Sequence, residues 1–488
     1  MPALATHFPP NDGGMFYDMT RDLQASQYRL PAVASYNGLD LPYAYPPLGF
    51  YLAALLSDLG RIPLLDLFLW LPAWFAVLAI PAFYLLARAL LTDDLRAALA
   101  TLFFALTPGS YFWRIMGGGM TRAPGLLFIL LSVYFVHRIF TSEAHQPEEN
   151  KKRVRLIAFA ILSCTCAVLS HPEVAVHTAS LCALLWLFFG RSRRGTLDAA
   201  LIALGVTLFT SPWWLTVISQ NGFAPFLSAA QTGLHANAQW VQVILDGFSA
   251  YEFIPILFVL RVVGFLYAFW KKQYFLLAMI FVPVFVDPRS AEAVSFLAFC
   301  ILSASVLLDL LPPVISRLTK KPLMPLLDSR AGAALTIVLV FLLFLQSGLR
   351  NYSLINSTLN TEQRETMEWL RVNLPPGQNF FLLTGQRYSM SDPVQEWFPT
   401  LTGQHSQTTL QGLEWTLGPQ FTQRLNDLTA LQACAEIACV ELWSARTNLA
   451  YDYLWLTKAT TSFESALASD NYSLVYESES LAIFARQK

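Results

Sequence analysis

From residue 64 onward the sequence is a succession of apolar runs, many long enough to cross a bilayer as helices. No other feature constrains the chain as much, because backbone placed in hydrocarbon has to satisfy its own hydrogen bonds. We read about ten spans, at 64–91, 96–113, 123–140, 156–170, 173–190, 197–218, 252–270, 273–287, 292–312 and 331–349. The stretch 47–59, PLGFYLAALLSDL, is apolar but short and reads as an interfacial or re-entrant helix. Composition agrees, since 55% hydrophobic and 13% charged residues lie outside the soluble norm. A net charge of −1 gives no global attraction for nucleic acid.

Alternate loops are basic. Arg88, Arg96, Lys151, Lys152, Arg153, Arg155, Arg191, Arg193, Arg194, Lys271, Lys272, Arg317, Lys320, Lys321 and Arg330 fall on one side. The opposite loops hold only Arg114, Arg122 and Arg289, with Arg350 just past the last span. The positive-inside rule makes the first set cytoplasmic. Both ends of the chain are then extracytoplasmic. The opening HFPPNDGGMFYDM has no basic n-region and no apolar run, so it is neither signal peptide nor anchor. An outside N-terminus without a translocation signal leads us to expect one more helix upstream. The expected organisation is a first extracytoplasmic loop with interfacial helices (1–63), a transmembrane helical domain (64–349) and a soluble extracytoplasmic α/β domain (350–488).

In that last segment TMEWLRVNLPPGQNFFLLTG reads as helix then strand, and YSLVYESESLAIFARQK as a closing hairpin. Cys434 and Cys439 are either a disulfide or two core cysteines. Cys164, Cys166, Cys182 and Cys300 fall in spans and read as small packing residues.

Polar groups at membrane depth are costly, so they mark candidate sites. All but one of the candidates fall on the non-cytoplasmic side. Asp12 precedes an amphipathic stretch, GMFYDMTRDLQA, whose Met15, Phe16, Met19 and Leu23 share one face suited to the membrane interface. Asp12 is thus a general base or simply a helix cap, and Asp18 and Asp22 with Arg21 are catalytic or a solvated face. Arg114 and Arg122 bracket RIMGGGMTR, where Gly117 to Gly119 either let an anion approach the backbone or make a flexible turn. His171 and Glu173 in SHPE could hold a divalent metal, orient an acceptor or only pair. Arg289 in VDPRS is a phosphate ligand or the partner of Asp287. Arg261, inside a span, must face the protein interior or a wet cavity.

The segment LPYAYPPLGFYLAALL, following an Asp-bearing loop and leading into LPAWFAVLAIPAFYLLARALL, resembles the GT-C superfamily of membrane glycosyltransferases. Protein O-mannosyltransferases and aminoarabinose lipid A transferases are the nearest types. There a His or Lys stands where Tyr45 precedes Pro46, Pro47 and Leu48. The resemblance covers about residues 7–140 in motif and 1–349 in topology. It implies an all-α polytopic membrane enzyme carrying a small C-terminal α/β domain. Such an enzyme moves sugar from a polyprenyl-phosphate-linked donor to a glycan, lipid or protein acceptor on the extracytoplasmic face. Asp12 would be the base. Arg289 and Arg114 would hold the donor phosphate, with Arg122, His171, Glu173 and Tyr45 lining the substrate site. Cell-envelope or surface-glycan assembly in a bacterial plasma membrane is the expected setting, with membrane lipid as a partner. The sequence assigns no cofactor, and a divalent metal stays open. The other readings are a transporter or flippase, which would show internal repeats, and a non-catalytic assembly or receptor protein working through 350–488.

Overall fold

A computed structural model describes residues 2–91, 93–142, 147–232, 255–310, 313, 316–317, 330–460 and 462–487. These residues hold 19 helices and a small C-terminal sheet domain, so the polytopic helical expectation stands. The opening segment folds as α1 (Gly14–Ala25), a short antiparallel pair β1 (Val33–Ala34) and β2 (Leu41–Pro42), and α2 (Leu48–Gly60). The bundle follows: α3 (Leu64–Leu91), α4 (Asp94–Leu106), α5 (Gly119–Thr141), α6 (Pro147–Val168), α7 (Pro172–Phe189) and α8 (Arg193–Asn221). After the short α9 (Ala224–Ala230) come α10 (Pro255–Trp270), α11 (Tyr274–Val286), α12 (Ala291–Asp309) and α13 (Arg330–Ile355).

Six helices among the described residues are long and apolar enough to cross a membrane: α3, α5, α7, α8, α12 and the Thr336–Ile355 part of α13. With the membrane-protein likeness reported below, they make the chain an integral membrane protein. Each of the ten predicted spans falls on a helix, but α4, α6, α10 and α11 are too short or too charged to stand with those six. The run predicted at 96–113 stops at Leu106, because Pro108 holds Thr107 extended (φ −92°, ψ 129°) and two 3-10 turns carry the chain to Arg114. The run at 273–287 becomes the 13-residue α11. Residues 252–254 and 311–312 of two predicted spans, with Lys320 and Lys321, lie outside the described residues. In the bundle α5 packs on α3, α6 and α7, and α12 on α4, α10 and α11.

Helix α1 has the predicted apolar face, but protein covers it rather than lipid. Met15, Phe16, Met19 and Leu23 are buried in one cluster with Tyr43, Phe50, Ala53 and Phe68. The other face of α1 meets the C-terminal domain. That domain comprises α14 (Thr361–Asn373), β3 (Asn379–Leu383), α15 (Pro393–Thr402), β4 (His405–Ser406), α16 (Glu414–Leu417), α17 (Phe421–Gln432) and α18 (Ile437–Thr447). It closes with β5 (Tyr453–Thr457), α19 (Ser462–Leu467) and the antiparallel hairpin β6 (Tyr472–Glu477) and β7 (Leu481–Arg486). The helix-then-strand and hairpin expectations both hold. Sheet order is β4-β3-β5-β7-β6, parallel across β4, β3 and β5. Strand alternation sends Phe381 and Leu383 into one apolar layer and Phe380 and Leu382 into the other. Cys434 and Cys439 are joined as a disulfide, Cα atoms 5.6 Å apart, and the other four cysteines are free.

Candidate active site

The opening loop and the glycine turn before α5 cross backbone to backbone. Gly117 N–H donates to the Pro10 carbonyl at 2.9 Å. A Cβ on Gly117 would overlap the Asp12 carbonyl oxygen, and one on Gly118 would overlap the Asp12 carboxylate. Gly117 and Gly118 therefore serve a close chain crossing, not a flexible turn, while a Cβ on Gly119 would overlap the Arg114 carbonyl. The crossing holds the Asp12 side chain. Its Oδ1 accepts from Gly118 N–H at 2.9 Å, its Oδ2 pairs with Arg122, and the residue is 8% exposed. The Arg122 guanidinium also lies over the Trp113 ring, 5.8 Å from its centre.

Asp12 is not the cap of α1. Gly13 takes that position with φ +132°, a conformation that favours glycine, and makes no side-chain cap. The cap comes from the C-terminal domain: Glu396 Oε1 accepts from Gly13 N–H at 3.1 Å and Met15 N–H at 3.2 Å. Burial first, and the Asp12 charge second, push the Glu396 carboxyl up to about 8.

The second half of the cluster centres on Arg289, in the turn between α11 and α12. Its Nε lies 3.4 Å from Glu173 Oε1 and its Nη2 3.8 Å from Glu414 Oε1. Asp287 turns away, accepting from Ser290 Oγ at 2.9 Å, while His177 Nε2 meets the same hydroxyl at 2.8 Å. Arg289 is therefore not paired with Asp287. His171 caps α7 by accepting the Glu173 N–H at its Nδ1, 3.3 Å away, and burial holds its imidazole down to about 4. Tyr45 joins the two halves. Its ring stands edge-on to His171 at 5.5 Å and to Trp415 at 5.7 Å, and it feels the charges of Arg122, Glu173 and Arg289 alike. The Leu48 N–H donates to the Leu169 carbonyl at 2.9 Å, fastening α2 to the turn before α7.

Asp12, Arg122, Tyr45, His171, Glu173 and Arg289 thus come together from four chain segments. Asp18 and Asp22 stand apart, whereas the Arg114 charge still reaches His171. Asp18 accepts from Thr400 Oγ1 at 2.9 Å on the face of the C-terminal domain, and burial raises its carboxyl to about 6. Asp22 accepts from Ser35 N–H and Oγ, both at 2.8 Å. Arg114 donates to the carbonyls of Gly109 (3.2 Å) and Ser110 (2.6 Å), bracing the turn that precedes the glycines. Arg261 faces the interior as expected, its guanidinium 4.8 Å from the Phe296 ring centre. Sequence reasoning missed Glu396 and Glu414. Each precedes a tryptophan, in QEWF and LEWT, and both tryptophans are buried against the opening segment. An acid before a buried aromatic was the only available signal.

Both Asp12 carboxylate oxygens are engaged by Gly118 and Arg122, and among the described residues no three His, Cys, Asp or Glu side chains converge.

No protein-family profile and no curated protein matches the chain. Solved structures do. The oligosaccharyltransferase of Archaeoglobus fulgidus, in complex with zinc and sulfate, superposes with TM-score 0.54 at 12% identity, covering 99% of this chain and 70% of that one. ArnT from Cupriavidus metallidurans in the apo state gives TM-score 0.56 at 13% identity, covering 98% of this chain and 94% of that one. Its undecaprenyl phosphate complex gives TM-score 0.54, also at 13% identity, with the same coverage of both chains. At such identities the likeness concerns the fold. The chain has the fold of the GT-C superfamily of membrane glycosyltransferases.

Proposed function

We propose that the chain is a membrane glycosyltransferase that moves a sugar from a polyprenyl-phosphate-linked donor to an acceptor on the extracytoplasmic face, in cell-envelope or surface-glycan assembly. The observation that carries this reading is the Asp12 carboxylate, buried yet held in one orientation by a main-chain N–H and a guanidinium, in a cluster that also contains the exposed Arg289. The fold supports it, since a structure of that fold is bound to undecaprenyl phosphate and another to dolichol-phosphate with an inhibitory peptide.

Asp12 takes the proton from the acceptor hydroxyl as the acceptor oxygen bonds to the anomeric carbon. The bond from that carbon to the phosphate oxygen breaks, and its electron pair leaves with the lipid phosphate. Arg289 exchanges its carboxylate partners for that phosphate and stabilises the departing charge. General-base help of this kind contributes about 10²–10⁴-fold. Arg122 orients the base, and Tyr45 with His171 and Trp415 walls the space between base and cation.

The test is native mass spectrometry of purified protein offered a panel of polyprenyl-phosphate sugars. Wild type and Asp12→Asn should retain a sugar lipid, Arg289→Ala should lose it, and only wild type should transfer to an acceptor. Retention of bulk phospholipid alone, in all three proteins, would sink the transferase reading in favour of a non-catalytic protein of the same fold.

A further inference from the structure

The C-terminal domain grips the chain on both sides of Asp12. On one side Asn11 N–H donates to the Ser357 carbonyl at 2.8 Å, and the Asn11 carbonyl accepts from Trp397 Nε1 at 3.0 Å. On the other, Glu396 accepts the Gly13 and Met15 N–H groups. Tyr36 then clamps the same turn of α15, its hydroxyl donating to the Glu396 carbonyl at 2.7 Å. There is no slack in this contact, since a Cβ on Gly13 would stand 3.0 Å from the Trp397 ring. Asp12 itself makes none of these bonds. Its carboxylate points the opposite way, to Gly118 and Arg122.

Glu396 is 6% exposed. A carboxyl buried this far is costly and is tolerated where hydrogen-bond donors compensate it. Here the donors are the orphan N–H groups at the start of α1, which point along the helix axis and favour an acceptor. Asp12 and Glu414 are the charged groups that face Glu396. Neither is a cation, so what holds the carboxyl in place is the backbone of the loop that carries Asp12.

We propose that Glu396 is a positioning residue for Asp12: a cap supplied by the C-terminal domain that fixes the loop from Asn11 to Met15, so that the base is assembled only when that domain is docked. The inference rests on the reading of Asp12 as the base. It gives the C-terminal domain a part in building the site, rather than a separate receptor task.

The experiment uses the full-length protein with Glu396→Ala, Glu396→Gln and, as a control on the same domain, Glu368→Ala, whose carboxylate pairs with Arg371 on the outer face of α14. Hydrogen exchange is read on a peptide covering Asn11–Met15 and on β3 and β5. Glu396→Ala should speed exchange at Asn11–Met15 about tenfold, the loss of about 1.4 kcal/mol of protection, while β3 and β5 stay protected. Glu396→Gln keeps a carbonyl acceptor and should restore protection. In transfer from a polyprenyl-phosphate sugar, Glu396→Ala should lower kcat about tenfold with the donor KM unchanged, and Glu396→Gln should recover most of the rate. Unchanged exchange at Asn11–Met15 in Glu396→Ala overturns the proposal. So does loss of protection throughout β3 and β5, which would make the residue merely structural. If wild type transfers from no donor, the transferase reading falls, and the exchange comparison alone decides whether Glu396 holds the loop.

Discussion

Asp12 and Arg289 belong to one polar cluster but are held in different ways. Asp12 is enclosed: a main-chain N–H and a guanidinium engage its carboxylate, and glycines on both crossing strands leave no room for the loop to shift. Arg289 has a side chain 40% exposed, with its two carboxylate partners at 3.4 and 3.8 Å. Those distances are too long for well-formed hydrogen bonds. A proton-transfer group gains from being fixed before the substrate arrives, because misplacement costs rate directly. A cation that must accept an incoming phosphate gains from partners it can release. The contrast assigns the chemistry to the enclosed half and the binding to the open one.

Asp12→Asn tests the enclosed half hardest. The amide still accepts from Gly118 but cannot take a proton, so transfer should fall by about 10²–10⁴-fold with lipid retention unchanged, while the thermal midpoint should drop because the Arg122 guanidinium loses its charged partner. Equal loss of retention would mean that Asp12 binds rather than reacts. Arg289→Ala is the converse. Retention of a polyprenyl-phosphate lipid should weaken by roughly 10–100-fold, the value of about 1.5–3 kcal/mol for a hydrogen bond to a charged group. Thermal stability should move little, because at 3.4 and 3.8 Å the lost ion pairs are too long for well-formed hydrogen bonds. A large drop in the melting midpoint would show that Arg289 holds the turn rather than the donor.

A smaller change should act in the opposite sense. Glu414 reaches Arg289 from the C-terminal domain and is itself anchored by Gly412 N–H at 3.0 Å. It occupies a position that a donor phosphate would contest. Replacing it with Gln removes the competing charge, and lipid-phosphate affinity should rise about fivefold, or about 1 kcal/mol. Affinity titrated with the lipid in wild type and Glu414→Gln reads this directly, and a weaker variant would make Glu414 a ligand instead of a competitor.

The two halves also differ in how far the sequence revealed them. Apolar runs announce spans because the signal is local, and the short continuous apolar run of Asn379–Leu383 announces a strand buried on both faces for the same reason. Arg289, His171 and Glu173 stood out as charges at turns between apolar runs, and the structure does bring them together with Arg122 and Tyr45. The bond from Glu396 to Gly13 spans 383 residues, and nothing local marks it. An aspartate just before a helix reads naturally as its cap, and only its contacts with Gly118 and Arg122, more than 100 residues away, show that the side chain is directed elsewhere. The shortfall in long spans has a local cause too: Pro108 was visible, but its effect on Thr107 outweighed an apolar pattern that continued past it.

Acid and base should separate the halves by the smallest of these effects. His171 has its imidazole held down to about 4 by burial, against about 6.5 when unfolded. Its contribution is therefore present above about pH 6.5 and is lost as pH falls towards 4. Glu396 runs the other way. Its carboxyl is raised to about 8 from the usual 4.5, so its contribution is complete below about pH 4.5 and is lost as pH rises through 8. Asp18, raised to about 6, has completed most of its change by pH 6.5. Between pH 6.5 and 8 Glu396 thus still titrates. The Asn11–Met15 loop should loosen across that window by less than about 1 kcal/mol, once water entering the opened interface is allowed for. Exchange of the loop amides, compared at each pH with Glu396→Gln to cancel intrinsic exchange, should show the loosening in wild type and not in the variant. The peptide around His171 should show no change there, and should loosen instead below pH 6. If both peptides respond to the same pH window, the two halves open as one unit and the division drawn from their geometry fails.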